Sequence, residues 1–155
     1  MQNNIKSQTR LVFIQFVFNH LSKPSNEFEK IKSEFDYYFY NKVLTNISNQ
    51  DEIKIKYNKN YFSKLVDFYS NFIVLDNIKD NLNKYISFDR KFEKWDIINQ
   101  AIVLSILSEL SNTKKEKIVI ALNNYLNLAK NFVSLKEVGM INAVVDNFLN
   151  DKKIL

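Results

Sequence analysis

The feature that most constrains this fold is a shortage of turn-forming residues, since the chain has one glycine and one proline among 155 residues. Hairpins and other tight turns of β-sheets recruit glycine and proline for their backbone angles. A chain almost without them is therefore expected to be helical, with short polar connections built from Asn, Asp and Ser. This length suffices for one domain with a substantial core, and we expect a single domain over residues 1–155.

Apolar residues recur at three- and four-residue spacing along most of the chain, which predicts helices rather than strands. Residues 46–58 are polar and indicate a loop, because the brief alternation in IKIKY would give a strand without a partner. The pattern predicts an all-α, compact single-domain bundle of about six or seven helices. The predicted helices cover roughly residues 9–22, 26–45, 61–86 with a break at Asp76–Asn77, 89–110, 118–132 and 138–149.

Residue usage excludes several classes of enzyme. The chain has no cysteine and a single histidine, His20, so disulfides, thiolate metal sites, histidine metal sites and histidine-based triads are not expected. No pair of carboxylates stands out for acid–base work. The net charge of +5 favours anionic partners such as nucleic acid. That charge argues weakly, because a chain rich in Lys, Asn, Ile and Phe is also what AT-rich codon usage produces.

The stretch TRLVFIQFVF, residues 9–18, combines a basic start with an apolar run. A secretory signal would need a small-residue cleavage site, which the following NHLSKPSNEFEK lacks. The run is also too short to cross a bilayer. We therefore expect a cytoplasmic protein without a membrane segment.

As a helix, this stretch has two different faces. Ile14 and Val17 fall on a stripe suited to the core, whereas Gln15 and Phe18 fall on another stripe. Two interpretations of the second stripe stay open. Phe18 packs against a second helix while Gln15 faces water, or the ring and the amide contact single-stranded RNA beside Arg10 at the helix start.

The C-terminal half carries an ordered series of motifs: AIVLSILSEL at 101–110, a short basic turn, IALNNYLNLAKNF at 120–132, and MINAVVDNF at 140–148. In this order they resemble the NusB family of transcription antitermination factors. The family's corresponding helices end in Glu-Leu, end in Leu-Ala-Lys-x-Phe, and begin Phe-Val-Asn-Gly-Val-Leu-Asp. YFSKLVDFY at 61–69 is similar to the start of the family's long helix, and residues 10–18 are similar to its first helix. The resemblance extends from about residue 6 to residue 148.

This resemblance implies a non-enzymatic, all-α RNA-binding protein that needs no cofactor. Members of the family bind boxA-type single-stranded RNA of ribosomal RNA transcripts. They bind it as a heterodimer with NusE, a small-subunit ribosomal protein, within an RNA polymerase antitermination complex. A homodimer of the free protein is a further expectation. By position, the resemblance implies RNA binding by Lys6, Arg10, Gln15, Phe18, Asn99, Lys130, Lys136 and Asn142.

Departures from the family pattern leave other functions open. The family's Arg-rich start is reduced to Lys6 and Arg10, Phe18 replaces a tyrosine, and Val133 replaces a glycine that would favour a left-handed helix end. One alternative is therefore a NusB-like protein-interaction module with weak or lost RNA binding. Another is a relative of the RNA-binding N-terminal domain of some ribosomal RNA methyltransferases, without a Rossmann segment or catalytic cysteine of its own.

Several of these residues also have plain structural interpretations. Lys130 is equally well a solvated helix residue. Asn142 lies within the apolar stripe of the last helix, so a cap or a buried amide is a competing prediction. Lys114, Lys115 and Lys117 are most simply a solvated turn, although that turn could also lie near a partner.

Overall fold

The computed structural model describes residues 3–22, 29–33, 56–75, 78–87 and 90–153. Every regular element within these ranges is helical, so the all-α prediction is confirmed. Short 3₁₀ turns lie at Asn83–Tyr85, Phe92–Lys94 and Lys115–Lys117. The α-helices are α1 (Asn3–Ser22), α2 (described over 29–33), α3 (Lys59–Ile73), α4 (Ile78–Leu82), α5 (Ile97–Leu110), α6 (Ile118–Ala129) and α7 (Leu135–Asp151).

Helix α5 is the centre of the described fold. Its sequence, IINQAIVLSILSEL, is apolar around the whole circumference, and every residue from Asn99 to Leu110 is buried. A helix of this kind is stable in water only when other helices surround it. Helices α1, α3, α6 and α7 all pack against it.

Helix α1 supplies the largest part of the packing on α5. The predicted core residues Ile14 and Val17 are fully buried, as is Phe16, which packs edge-to-face on Phe62 of α3 with ring centroids 5.8 Å apart. Arg10 contacts Glu109, the penultimate residue of α5. The residues of α1 that follow Arg10 therefore pack on α5 in the direction of its N-terminus, so the two helices are antiparallel.

Two predicted helix boundaries are wrong. The helix predicted from residue 89 begins at Ile97, because Trp95 has an extended backbone, with φ −69° and ψ 152°. The indole Nε1 of Trp95 donates to the carbonyl oxygen of Arg90 at 3.1 Å, and the Gln100 amide donates to the Trp95 carbonyl oxygen at 2.9 Å. The helix predicted to reach residue 132 ends at Ala129. The residues after it form a turn whose Phe132 and Val133 amides donate to the Ala129 carbonyl oxygen.

The remaining boundaries are displaced by a few residues, confirmed or undescribed. Helix α1 begins at Asn3 rather than at residue 9, and α7 begins at Leu135 rather than at residue 138. The break in the long helix is confirmed, since α3 ends at Ile73 and α4 begins at Ile78. Most of the helix predicted over 26–45 and of the loop predicted over 46–58 lies outside the described residues, although 29–33 are helical. Among the described helices, none has the length and apolar character needed to span a membrane.

Candidate RNA-binding surface

Arg10 lies in the interior of the bundle. Its Nε and Nη2 atoms donate to the two carboxylate oxygens of Glu109 at 3.0 and 2.8 Å, and Nη1 donates to Asn124 Oδ1 at 2.9 Å. The guanidinium also lies over the Tyr61 and Tyr125 rings, 5.9 and 5.4 Å from their centroids. Both tyrosine hydroxyls donate to the same Glu109 carboxylate, at 2.5 and 2.6 Å. This cluster joins α1, α3, α5 and α6.

Electrostatics keep the Arg10 guanidinium charged. Burial alone would lower the pKa of Arg10, but the hydrogen bonds and negative charge of Glu109 outweigh it and raise that pKa. Burial, together with the Glu109 charge, raises the pKa of Tyr61 and of Tyr125, so both hydroxyls remain donors. Arg10 is only 7% exposed. The expectation of an exposed Arg10 at the helix start is therefore corrected, because its guanidinium is committed to partners within the fold.

Phe18 and Gln15 lie on the outer side of α1. Phe18 is 39% exposed, whereas the other phenylalanines of α1, Phe13 and Phe16, are fully buried. Gln15 is half-buried. Two residues after Phe18, His20 Nδ1 lies 2.8 Å from the Tyr69 hydroxyl, which ties the end of α1 to α3. His20 is therefore a packing residue, and Phe18 lies on a helix whose end is held against α3.

Asn99 lies at the junction between the first turns of α5 and α7. Its Nδ2 donates to Glu137 Oε2 at 2.7 Å. Glu137 also accepts from Ser134 in a capping box, in which the Glu137 amide donates to Ser134 Oγ at 3.2 Å. These hydrogen bonds lower the pKa of Glu137, with the bond from Asn99 as the largest cause. Asn99 is 8% exposed, and its Oδ1 has no hydrogen-bond partner within the described part of the chain.

The remaining predicted residues differ in exposure. Lys130 is exposed and donates to Asn127 Oδ1 at 3.3 Å, and Lys136 is exposed in the first turn of α7. Asn142 is exposed, so its interpretation as a buried amide is wrong. Lys6 is half-buried near the start of α1.

Four of the eight predicted residues lie toward one end of the bundle. Asn99 lies about 15 Å along α5 from Glu109, at about 1.5 Å per residue. Because α1 runs antiparallel to α5, Phe18 lies toward the Asn99 end. The Asn99–Glu137 bond brings Lys136 to that end too, and Lys130 lies four residues before the Ser134 cap. Lys6, one turn before Arg10, lies at the opposite end.

Comparisons with known proteins identify the family. A model of the NusB family matches residues 7–150. The chain belongs to the NusB family. Proteins named transcription antitermination protein NusB are similar to it along nearly their whole length. That of Rickettsia conorii is 22% identical over 150 residues, 96% of this chain and 93% of that protein. That of Rickettsia akari is 22% identical over 151 residues, 96% of this chain and 94% of that protein. No solved structure matches the chain.

Sequence reasoning missed the residues that support this NusB-family surface from within. Glu109 is the one ionisable residue in α5, and a buried carboxylate requires a partner. The roles of Tyr61, Tyr125 and Asn124 have no local signal, because they depend on three helices meeting at one point. No group of metal-ligating side chains occurs among the residues that the structure describes.

Proposed function

We propose that this chain is a transcription antitermination factor that binds boxA-type single-stranded RNA of ribosomal RNA transcripts together with the NusE ribosomal protein. It would act as part of an RNA polymerase antitermination complex in the cytoplasm, and without catalysis. The observation that carries the proposal is the match to the NusB family along residues 7–150. The name of the similar Rickettsia proteins, transcription antitermination protein NusB, supports the same function.

The exposed ring of Phe18 supports RNA binding. Single-stranded RNA is recognised by stacking of bases on aromatic side chains, which contributes about 1–3 kcal/mol per base. Phe18 is partly exposed on a helix whose other phenylalanines are buried. Its neighbour Gln15 offers an amide that can donate to and accept from base edges. Together they form a small reading face on α1.

Lysines at the same end of the bundle support phosphate contacts. Lys130 and Lys136 are exposed, and neither forms a salt bridge within the described part of the chain. For a single strand, each phosphate contact steepens the dependence of log K on log salt by about 0.7. Asn142, exposed on α7, adds a neutral amide donor and acceptor.

Arg10 and Asn99 support the surface from behind it in this proposal. Arg10 fixes α1 against α5 and α6, and Asn99 holds Glu137 at the start of α7. Both are more than nine-tenths buried. We therefore assign direct RNA contacts to Lys6, Gln15, Phe18, Lys130, Lys136 and Asn142.

Charge reversal tests the surface without disturbing the fold. The variant Lys130→Glu/Lys136→Glu should weaken binding to a boxA-type RNA and flatten its salt dependence by about 1.4, the sum for two phosphate contacts. The matched control Lys152→Glu/Lys153→Glu reverses two exposed lysines at the far end of α7 and should leave binding unchanged. Equal effects of the two variants would refute the assigned surface. Charge reversal at Arg10 is unsuitable as a test of RNA binding, because Arg10→Glu would place two carboxylates together in the core.

The burial of Arg10 favours a second candidate function, a protein-interaction module that has lost RNA binding. Of the two basic residues near the start of α1, Arg10 is committed to Glu109, which leaves Lys6 to meet phosphate. The same two variants and a third, Lys6→Glu, separate the two candidate functions. Loss of RNA binding with retained NusE binding supports RNA recognition. A wild-type protein that binds NusE but no RNA supports the interaction module.

A further inference from the structure

Two large aliphatic side chains are exposed side by side in the first turn of α6. Val119 is 59% exposed and Ile120 is 72% exposed. Both follow Ile118, which is fully buried and anchors the turn to the core. Single exposed aliphatic residues need no explanation, but adjacent ones form a patch that water solvates poorly.

The surroundings of this pair are basic. Residues 111–120, which include this pair, contain three lysines and one glutamate, a net charge of +2. Those lysines, Lys114, Lys115 and Lys117, directly precede the aliphatic pair, and all are exposed. Helix α6 itself contains no acidic residue. We call Lys114, Lys115, Lys117, Val119 and Ile120 the α6 edge.

The α6 edge lies near Lys6 but away from the rest of the proposed RNA surface. Asn124, one turn after Ile120, accepts from Arg10 and donates to Ser7 Oγ at 3.1 Å. The start of α6 therefore adjoins the start of α1 and the last turn of α5. Asn99 lies about 15 Å from there along α5. A ligand on the α6 edge would leave Phe18 and Lys136 free.

The chemistry of this edge selects the class of its partner. Single-stranded RNA would be held by exposed aromatic rings, but Tyr125, the aromatic residue of α6, is fully buried. Exposed Val and Ile are instead stabilised by apolar side chains of a partner, and the surrounding lysines attract carboxylates. A second copy of this chain would set like charges against each other. We propose that the α6 edge docks an acidic, amphipathic protein segment whose apolar side chains cover Val119 and Ile120.

The test uses a designed peptide as the probe. A labelled amphipathic helix with leucines on one face and glutamates elsewhere is titrated with the full-length protein by fluorescence anisotropy. Two reference ligands are a peptide of the same composition without an apolar face, and a poly-U RNA. The variant Val119→Ser/Ile120→Ser should weaken binding of the amphipathic peptide at least tenfold. The matched control Val74→Ser/Leu75→Ser, which replaces another adjacent exposed pair, should leave it unchanged.

Amide chemical shifts decide where the probe binds. We expect the amphipathic peptide to shift the amide resonances of residues 114–120 more than the peptide without an apolar face does. The variant Lys114→Glu/Lys117→Glu should abolish these shifts. Absence of binding, or equal binding to Val119→Ser/Ile120→Ser and to the wild type, would overturn the proposal. Shifts at the same residues from poly-U alone would also overturn it, in favour of RNA. Circular dichroism of each variant confirms that it is folded.

Discussion

The Arg10–Glu109 pair gives the most quantitative prediction about the fold. Replacing Arg10 with methionine removes two donors to Glu109, at 3.0 and 2.8 Å, and a third to Asn124 at 2.9 Å. The methionine retains part of the apolar stem. It leaves the Glu109 carboxylate, which is 6% exposed, without a counter-charge. Breaking a buried ion pair from one side costs about 3–5 kcal/mol, so Arg10→Met should lower the free energy of unfolding by that amount.

An exposed ion pair in the same chain provides the control. Lys84 and Asp151 lie 3.6 Å apart, with side chains that are 57% and 50% exposed. Lys84→Met should therefore destabilise the fold much less than Arg10→Met does, because an exposed ion pair contributes little to stability. The double variant Arg10→Met/Glu109→Leu removes both buried charges, and it should cost less than the sum of its two single variants because the sites are in contact.

Urea unfolding followed by far-UV circular dichroism at pH 7 measures these free energies. Small domains have stabilities of about 5–15 kcal/mol, so Arg10→Met should leave a measurable folded population. A cost for Arg10→Met as small as that for Lys84→Met would refute the burial of this pair. Additive costs in the double variant would refute the coupling between Arg10 and Glu109.

Three further predictions concern single residues. Gly139→Ala should raise the free energy of unfolding by about 0.5–1 kcal/mol, because Gly139 lies inside α7 and an added Cβ would have no atom within 4 Å; thermal unfolding checks this. Phe18→Ala should weaken boxA-type RNA about 5- to 150-fold by losing one stacked base, with unchanged circular dichroism; an unchanged affinity excludes stacking. Hydrogen bonds from Asn99 and Ser134 lower the pKa of Glu137. The ionised Glu137 carboxylate therefore stabilises the fold above its unfolded pKa, about 4.3. This contribution is lost as the pH falls through the folded pKa. Glu137→Gln should therefore be less stable than wild type at pH 7 but not at pH 2.

Helix positions followed from local sequence patterns, whereas the role of Arg10 did not. The spacing of Ile14 and Val17 predicts a buried stripe, because three- and four-residue spacing places side chains on one face. The same spacing says nothing about a residue 99 positions away. The local sequence around Arg10 is therefore typical of a basic helix start, and only the fold shows that Arg10 pairs with Glu109.

The candidate surface was predictable to a similar degree. Phe18 falls on the outer stripe of α1 by periodicity, and its exposure confirms that part of the prediction. Asn99 and Glu137 lie 38 positions apart, so their hydrogen bond depends on how α5 and α7 pack. Local patterns also missed the start of α5, because hydrogen bonds to the Trp95 carbonyl and from its indole hold that segment extended.

The affinity of this protein for boxA-type RNA, compared with a scrambled RNA, tests RNA recognition directly. Fluorescence anisotropy of a boxA-type RNA, and of a scrambled RNA of the same composition, is measured with the full-length protein at about 0.15 M salt. Each titration is made with and without the NusE ribosomal protein. We expect boxA-type RNA to bind at least about tenfold more tightly than the scrambled RNA when NusE is present, a difference of about 1.4 kcal/mol. Equal affinities for the two RNAs, with and without NusE, would contradict it.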